Sequence, residues 1–176
     1  MKKMIVKLAL FLCIAAMLTG CNSAKLKKAN TLYEVGNYMA AAEIYAELGD
    51  TQMYAKSLYE AGEYVAAAKI YAKLEDKQMQ ANSLFKAGEY VEASKIYAKL
   101  GDKQMQAKSL YEAGEYLAAA EVYAELGDKK MQAEILYEVG KYSDALKIFQ
   151  ELNNLSRVND CLVAMRRALN NITPAN

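Results

Sequence analysis

Histidine is absent from the 176 residues, and with it go the commonest general base and the commonest metal ligand. The chain has no glycine-rich phosphate loop, no paired-cysteine zinc spacing and no nucleophile elbow. Carboxylates are plentiful, but pairs such as Glu43/Glu47 and Glu121/Glu125 fall on helix faces open to water, where nothing raises a pKa. No catalytic residue, metal site or cofactor is therefore expected, and the chain does not read as an enzyme. The three cysteines, Cys13, Cys21 and Cys161, do not form a disulfide framework. The longest apolar run, Leu8 to Leu18, is too short to span a bilayer as a helix.

The amino terminus has a basic start in Lys2, Lys3 and Lys7, followed by that short apolar run, which is the layout of an export signal. It ends in Leu18, Thr19, Gly20 and Cys21, which resembles the lipobox of bacterial lipoproteins. The resemblance implies a signal peptide over 1–20 that is cleaved before Cys21. It also implies a diacylglyceryl group on the Cys21 sulfur and a mature chain tethered to a membrane from residues 21–22. Two or more acyl chains hold a protein firmly where one holds it marginally. The implied location is extracytoplasmic, on the outer face of the cytoplasmic membrane or on an outer membrane. With Cys13 removed and Cys21 acylated, only Cys161 remains as a thiol. Removing three of the 22 basic residues leaves 19 against 21 acidic ones, so the mature chain lacks the clustered positive excess that nucleic-acid binding needs.

What the chain does contain is a 26-residue block, marked by Leu, an aromatic, Gly and Tyr. It recurs at Leu32/Tyr33/Gly36/Tyr38, Leu58/Tyr59/Gly62/Tyr64, Leu84/Phe85/Gly88/Tyr90, Leu110/Tyr111/Gly114/Tyr116 and Leu136/Tyr137/Gly140/Tyr142. A period of this size marks a stacked-repeat protein whose units bury their apolar faces against neighbours. Within the unit from Asp50 to Leu74, apolar residues recur at helical spacing on either side of Gly62. Asp50, Asp76, Asp102, Asp128 and Asn154 are candidate N-caps of a first helix, and Gly62 is its left-handed terminator. A second helix follows from Tyr64 to Leu74, with Tyr64, Ala67, Ile70, Tyr71 and Leu74 inward and Ala66, Lys69 and Lys73 outward. Ala55, Ala81, Ala107 and Ala133 in first helices, and Ala41, Ala67, Ala93, Ala119 and Ala145 in second helices, mark points where axes approach closely.

Gly62, Glu63, Tyr64, Ala67 and Tyr71 resemble the turn, small residue and following aromatic of the tetratricopeptide repeat, and Ala55 falls where that family has a small residue. The likeness covers about Ser23 to Leu152, although the family's unit is longer and proline-closed. The expected fold is an all-α, right-handed α-solenoid of about five helix-turn-helix repeats over 23–152, a capping helix over 153–169 and a loose tail over 170–176. Register places Ser23 as the first N-cap, with Ala29, Leu32 and Val35 in the first helix. At the other end, Leu155, Val158, Leu162 and Leu169 share one side of the cap, and Leu155, Val158 and Leu162 are expected to cover Ile148, Phe149 and Leu152.

The resemblance implies a non-catalytic protein- or peptide-binding scaffold whose first helices line the binding face. The candidate partner-binding residues are Gln52, Lys56, Tyr59, Asn82, Phe85, Gln104, Lys108 and Tyr111. Their rings read equally as ordinary packing with a wet hydroxyl. A structural or assembly spacer of the cell envelope, working through homotypic contacts, is the alternative. Met53, Met79, Met105 and Met131 read as core packing rather than soft metal ligands. The helix-B charges Glu43/Glu47, Lys69/Lys73, Lys95/Lys99 and Glu121/Glu125 read as a patch or as neighbour pairs, Glu47 with Lys73 and Lys99 with Glu125. Cys161 occupies the small Ser57/Ser83/Ser109 position and is expected to be buried and inert.

Overall fold

Asp50, Asp76, Asp102 and Asp128 each accept a hydrogen bond through Oδ1 from the backbone N–H three residues on, at 3.0 Å. Asn154 does the same for Arg157 N at 3.2 Å. Each cap starts a helix of the first kind. The computed structural model describes residues 22–172, so the expected signal at 1–20, Cys21 and the last four residues lie outside the described residues.

Eleven helices follow one another among the described residues. They are α1 (residues 22–34), α2 (Tyr38–Leu48), α3 (Thr51–Glu60), α4 (Tyr64–Lys73), α5 (Lys77–Lys86), α6 (Tyr90–Leu100), α7 (Lys103–Glu112), α8 (Tyr116–Glu125), α9 (Lys129–Glu138), α10 (Tyr142–Glu151) and α11 (Leu155–Ile172). The fold is the all-helical solenoid of helix pairs with a terminal helix that the period implies. The described residues form two compact units, divided between Ser83 and Leu84 within α5.

Both kinds of turn end in the same closure. At the end of α3, Gly62 takes φ +86°, its N–H bonds Tyr59 O at 3.0 Å, and Glu63 N–H bonds Leu58 O at 2.9 Å. That pair of bonds is the Schellman closure of a helix C-terminus. At the end of α4 the same bonds run from Glu75 to Ala72 O and from Asp76 to Tyr71 O. There the left-handed residue is Glu75 at φ +59°, where Gly49, Gly101 and Gly127 stand in the corresponding turns and Asn153 closes the fifth.

In the first unit, Ala29, Ala41 and Tyr45 form one buried cluster, against which Met53 and Tyr54 of the next pair pack. Ala42, Ala55, Leu58, Ala67 and Tyr71 form the next, with Met79 packed on it. The second unit repeats this with Ala107, Ala119, Tyr123 and Ile135, and with Ala133, Ala145, Phe149 and Cys161. Every alanine singled out by the repeat is fully buried, and Met53, Met79 and Met131 pack back onto the preceding pair as core residues. A second small residue beside them, Ala42, Ala68, Ser94 or Ala120, is buried as well. Leu74, expected inward, is 38% exposed at the end of its helix.

The ends depart from expectation. Ser23 is not an N-cap but lies inside α1, and Asn22 is already helical. The repeat equivalent of Asp50 is Ala24, which has no side-chain acceptor with which to start a helix there. Val35 falls past the end of α1 and is 72% exposed. At the other end α11 continues to Ile172, beyond the expected limit at Leu169. It packs through Val158 and Cys161, while Leu155 and Leu162, expected to cover the fifth pair, are 80% and 49% exposed. Val158 and Cys161 lie a turn apart and define the buried side; Leu155 and Leu162 fall to one side of it.

Candidate functional site

Each repeat carries a pair of aromatic rings across the turn between its helices. Tyr33–Tyr38, Tyr59–Tyr64, Phe85–Tyr90, Tyr111–Tyr116 and Tyr137–Tyr142 all meet edge to face, with centroids 5.1–5.3 Å apart. The geometry follows from the turn: the first ring sits in the last turn of one helix, the second opens the next, and the glycine between them reverses the chain. Such a T-shaped contact is favoured by the ring quadrupoles and contributes about 0.5–1.5 kcal/mol beyond burial. A braced ring pair thus stands at the turn of every repeat, with the candidates Tyr59, Phe85 and Tyr111 among its first rings. The bracing tyrosine was missed as part of it, although it recurs five residues after each first ring.

In the first unit, Gln52 and Lys56 are exposed one turn apart on α3, and Tyr59 is half-buried on the same helix. Lys56 Nζ lies 5.2 Å from the centroid of the Tyr33 ring, so this lysine leans on the preceding ring. Burial, with the neighbouring Tyr64 and Glu60, pushes the Tyr59 hydroxyl above its ordinary pKa; it stays a neutral donor at physiological pH. Asn82 Oδ1 accepts from Gln78 Nε2 at 3.4 Å, and its Nδ2 faces Met79 Sδ at 3.8 Å.

In the second unit, Lys108 Nζ stands 5.2 Å over the Phe85 ring, repeating the Lys56–Tyr33 arrangement. Gln104 is exposed one turn before Lys108. The Tyr111 hydroxyl donates to Glu138 Oε2 at 2.9 Å, and that bond, reinforced by the carboxylate's charge, raises the Tyr111 pKa. Arg157 closes the series: its guanidinium lies 4.2 Å from the Tyr137 centroid and makes a two-pronged ion pair with Glu134. Glu138 and Arg157 were not among the candidates. Arg157 holds the position of Met53, Met79, Met105 and Met131, and that break in the repeat was its visible signal.

The charges on second helices pair differently from expectation. Glu47 bonds Lys25 at 2.7 Å, Glu125 bonds Lys103 at 2.7 Å and Glu151 bonds Lys129 at 2.6 Å; the expected Glu47–Lys73 and Lys99–Glu125 pairs are not formed. The two helices of a pair run antiparallel, so the first turn of one lies beside the last turn of the other, 22 residues on. The hydrogen bond to Lys25 holds the Glu47 carboxyl below its usual range. Cys161 is fully buried, and burial pushes its thiol up, away from reactive thiolate.

Two open clefts of about 410 Å³ also lie in the first unit. One is lined by Lys25, Lys28, Leu32, Glu43 and Ile44, the other by Met39, Ala42, Ala46, Tyr54 and Leu58. None of the eight candidate residues lines either. Among the described residues no cluster of three or more His, Cys, Asp or Glu side chains is placed to hold a metal ion. No helix among them is long and apolar enough to cross a membrane. The chain matches no protein-family model and no curated protein.

Proposed function

We propose that this chain is a lipoprotein anchored through diacylglyceryl-Cys21 to the extracytoplasmic face of a bacterial membrane, where its tetratricopeptide-like repeats act as a non-catalytic scaffold for a protein or peptide partner. The observation that supports the scaffold reading is the repeated, braced ring. A half-buried aromatic is held edge-on by a second ring in every repeat and is flanked by exposed Gln52, Lys56, Gln104 and Lys108. Rings fixed before binding lose little side-chain freedom when a partner arrives, and pre-organised aromatics are the usual anchors of an interface. The lysines over Tyr33 and Phe85 keep their ammonium groups in water, where they can meet acidic or carbonyl groups.

The soluble chain lacking residues 1–21 serves as bait in a pull-down from the native bacterium, beside a Tyr59/Phe85/Tyr111→Ala variant shown by circular dichroism to remain helical. Loss of a specific partner with the variant supports the reading; identical recoveries from both, or self-association alone, overturn it. Anchoring is tested separately, since only Cys21 has the required context. Cys21→Ala should release the protein from the membrane fraction or accumulate its precursor, and a variant processed and fractionated like wild type would exclude lipidation.

A further inference from the structure

The leucines that leave the core at the end of the chain are spaced seven residues apart. Leu155, Leu162 and Leu169 are 80%, 49% and 65% exposed, on a helix of 18 residues where the other helices with named bounds have 10 or 11. Seven-residue spacing keeps side chains on one slowly drifting stripe of a helix. This stripe borders the half-buried Val158 and Met165, which widen it toward the core side. In earlier repeats the position of Leu162 is held by Leu58 and Leu136, which pack against the second helix of their own pair. Leu155 replaces Thr51, Lys77, Lys103 and Lys129, so leucine stands where the other repeats expose polar side chains.

We propose that this stripe is the contact between two copies of the chain, paired antiparallel through α11 about a two-fold axis at Leu162. The register follows from the spacing. With Leu162 on its own copy, Leu155 of each chain meets Leu169 of the other, so all three leucines are used twice. A two-fold contact has to be self-complementary in this way. Antiparallel pairing brings like edges of the two helices together: Arg166, exposed beside the stripe on the same edge as Asn159, then faces Asn159 of the other copy, and no like charges are opposed. The opposed helix dipoles act in the same sense.

The stripe spans about 21 Å of a helix about 27 Å long. The three exposures together amount to nearly two whole leucine side chains per copy. Two such faces bury about 700 Å² from the leucines alone, with Val158, Met165 and the polar rim adding to it, which is the size of a weak, transient contact. The pairing is therefore a reversible, concentration-dependent dimer rather than an obligate one. It does not depend on the scaffold reading or on lipidation.

The test is sedimentation equilibrium of the soluble chain from Asn22 to Asn176 across a wide concentration range, with Leu155→Gln as the surface variant. Self-association to a dimer, weakened about tenfold or more by Leu155→Gln, is expected. Cysteine pairing reads the register without relying on stability. Under mild oxidation Leu162→Cys should form a self-disulfide, and a mixture of Leu155→Cys with Leu169→Cys should cross-link more than either variant alone. A protein that is monomeric at every concentration overturns the proposal, as does a dimer indifferent to Leu155→Gln or one in which Leu155→Cys cross-links chiefly to itself. A monomer that floats with phosphatidylcholine vesicles, and stops doing so when Leu155 is replaced, gives the stripe to a bilayer and overturns it too.

Discussion

Glu75 is the costly residue in an otherwise economical set of turns, and replacing it by glycine should stabilise the protein. It holds φ +59°, a left-handed conformation that costs an L residue roughly 1–2 kcal/mol. The hydrogen bonds of its turn match those at Gly101: Glu75 N to Ala72 O and Gly101 N to Ala98 O are both 3.2 Å, and Asp76 N to Tyr71 O and Asp102 N to Tyr97 O are both 3.0 Å. Glycine therefore loses no bond there. It does add unfolded-state freedom, a cost of about 0.5–1 kcal/mol. The net gain for Glu75→Gly is about 0.5–1 kcal/mol, an upward shift of about 1–4 °C in the melting transition at this chain length. Gly101→Ala is the mirror experiment. A Cβ at Gly101 meets nothing within 4 Å, so its loss, about 1 kcal/mol, is purely conformational. Thermal unfolding followed by circular dichroism measures both. A neutral or destabilising Glu75→Gly together with a harmless Gly101→Ala would refute the backbone argument.

Ala107 is fully buried against Ala119, Tyr123 and Ile135, so Ala107→Leu should cost about 1–3 kcal/mol through overpacking; the adjacent exposed Lys108→Leu should cost no more than about 1 kcal/mol, chiefly its cation–π contact. Equal shifts in the melting transition would mean that the helix face is misassigned. The Ser83 and Ser109 hydroxyls bond the carbonyl four residues back at 2.7 Å, whereas buried Ser57 Oγ has no partner among the described residues. Ser57→Ala should accordingly be more favourable than Ser83→Ala by about 1 kcal/mol, and chemical denaturation of the two variants would show the reverse order if the hydroxyl is in fact satisfied. Burial, aided by Asp76, raises Tyr71 to about 12. Because the folded value lies above the ordinary one near 10, its stabilising effect is complete below about pH 10 and disappears as pH climbs toward about 12. Phenolate absorbance should keep rising above the ordinary range toward about pH 12, and Tyr71→Phe should reduce that late part; a late part unchanged by Tyr71→Phe would contradict the raised value.

Local chemistry was the most legible part of the sequence. An Asp at a fixed place before α3, α5, α7 and α9 caps each of them, and a repeated glycine marks a repeated left-handed residue. Cys161 was placed correctly because it inherits the position of Ser57, Ser83 and Ser109. Reading the leucines by hydrophobicity instead put Leu155 and Leu162 in the core, because a seven-residue stripe and a core stripe share helical spacing. The charge pairs were missed for a different reason: like residues in successive repeats look adjacent in sequence, yet the nearest partner of Glu47 is Lys25 on its own antiparallel neighbour. The rings of the candidate face were visible, but the Lys56–Tyr33, Lys108–Phe85 and Tyr111–Glu138 contacts join residues 23 to 27 positions apart and appear only once the turns are built.

Each 26-residue unit is held mainly by its neighbours, and amide hydrogen exchange on a chain ending at Leu152 tests this most directly. That truncation strips Val158 and Cys161 from Ala133, Ala145 and Phe149. Exchange should accelerate chiefly beyond Asp128, fraying the array from its open end while residues 50–83 keep their protection. Acceleration spread evenly from Asp50 onward would contradict nearest-neighbour stabilisation, and so would a chain whose protection is unchanged throughout.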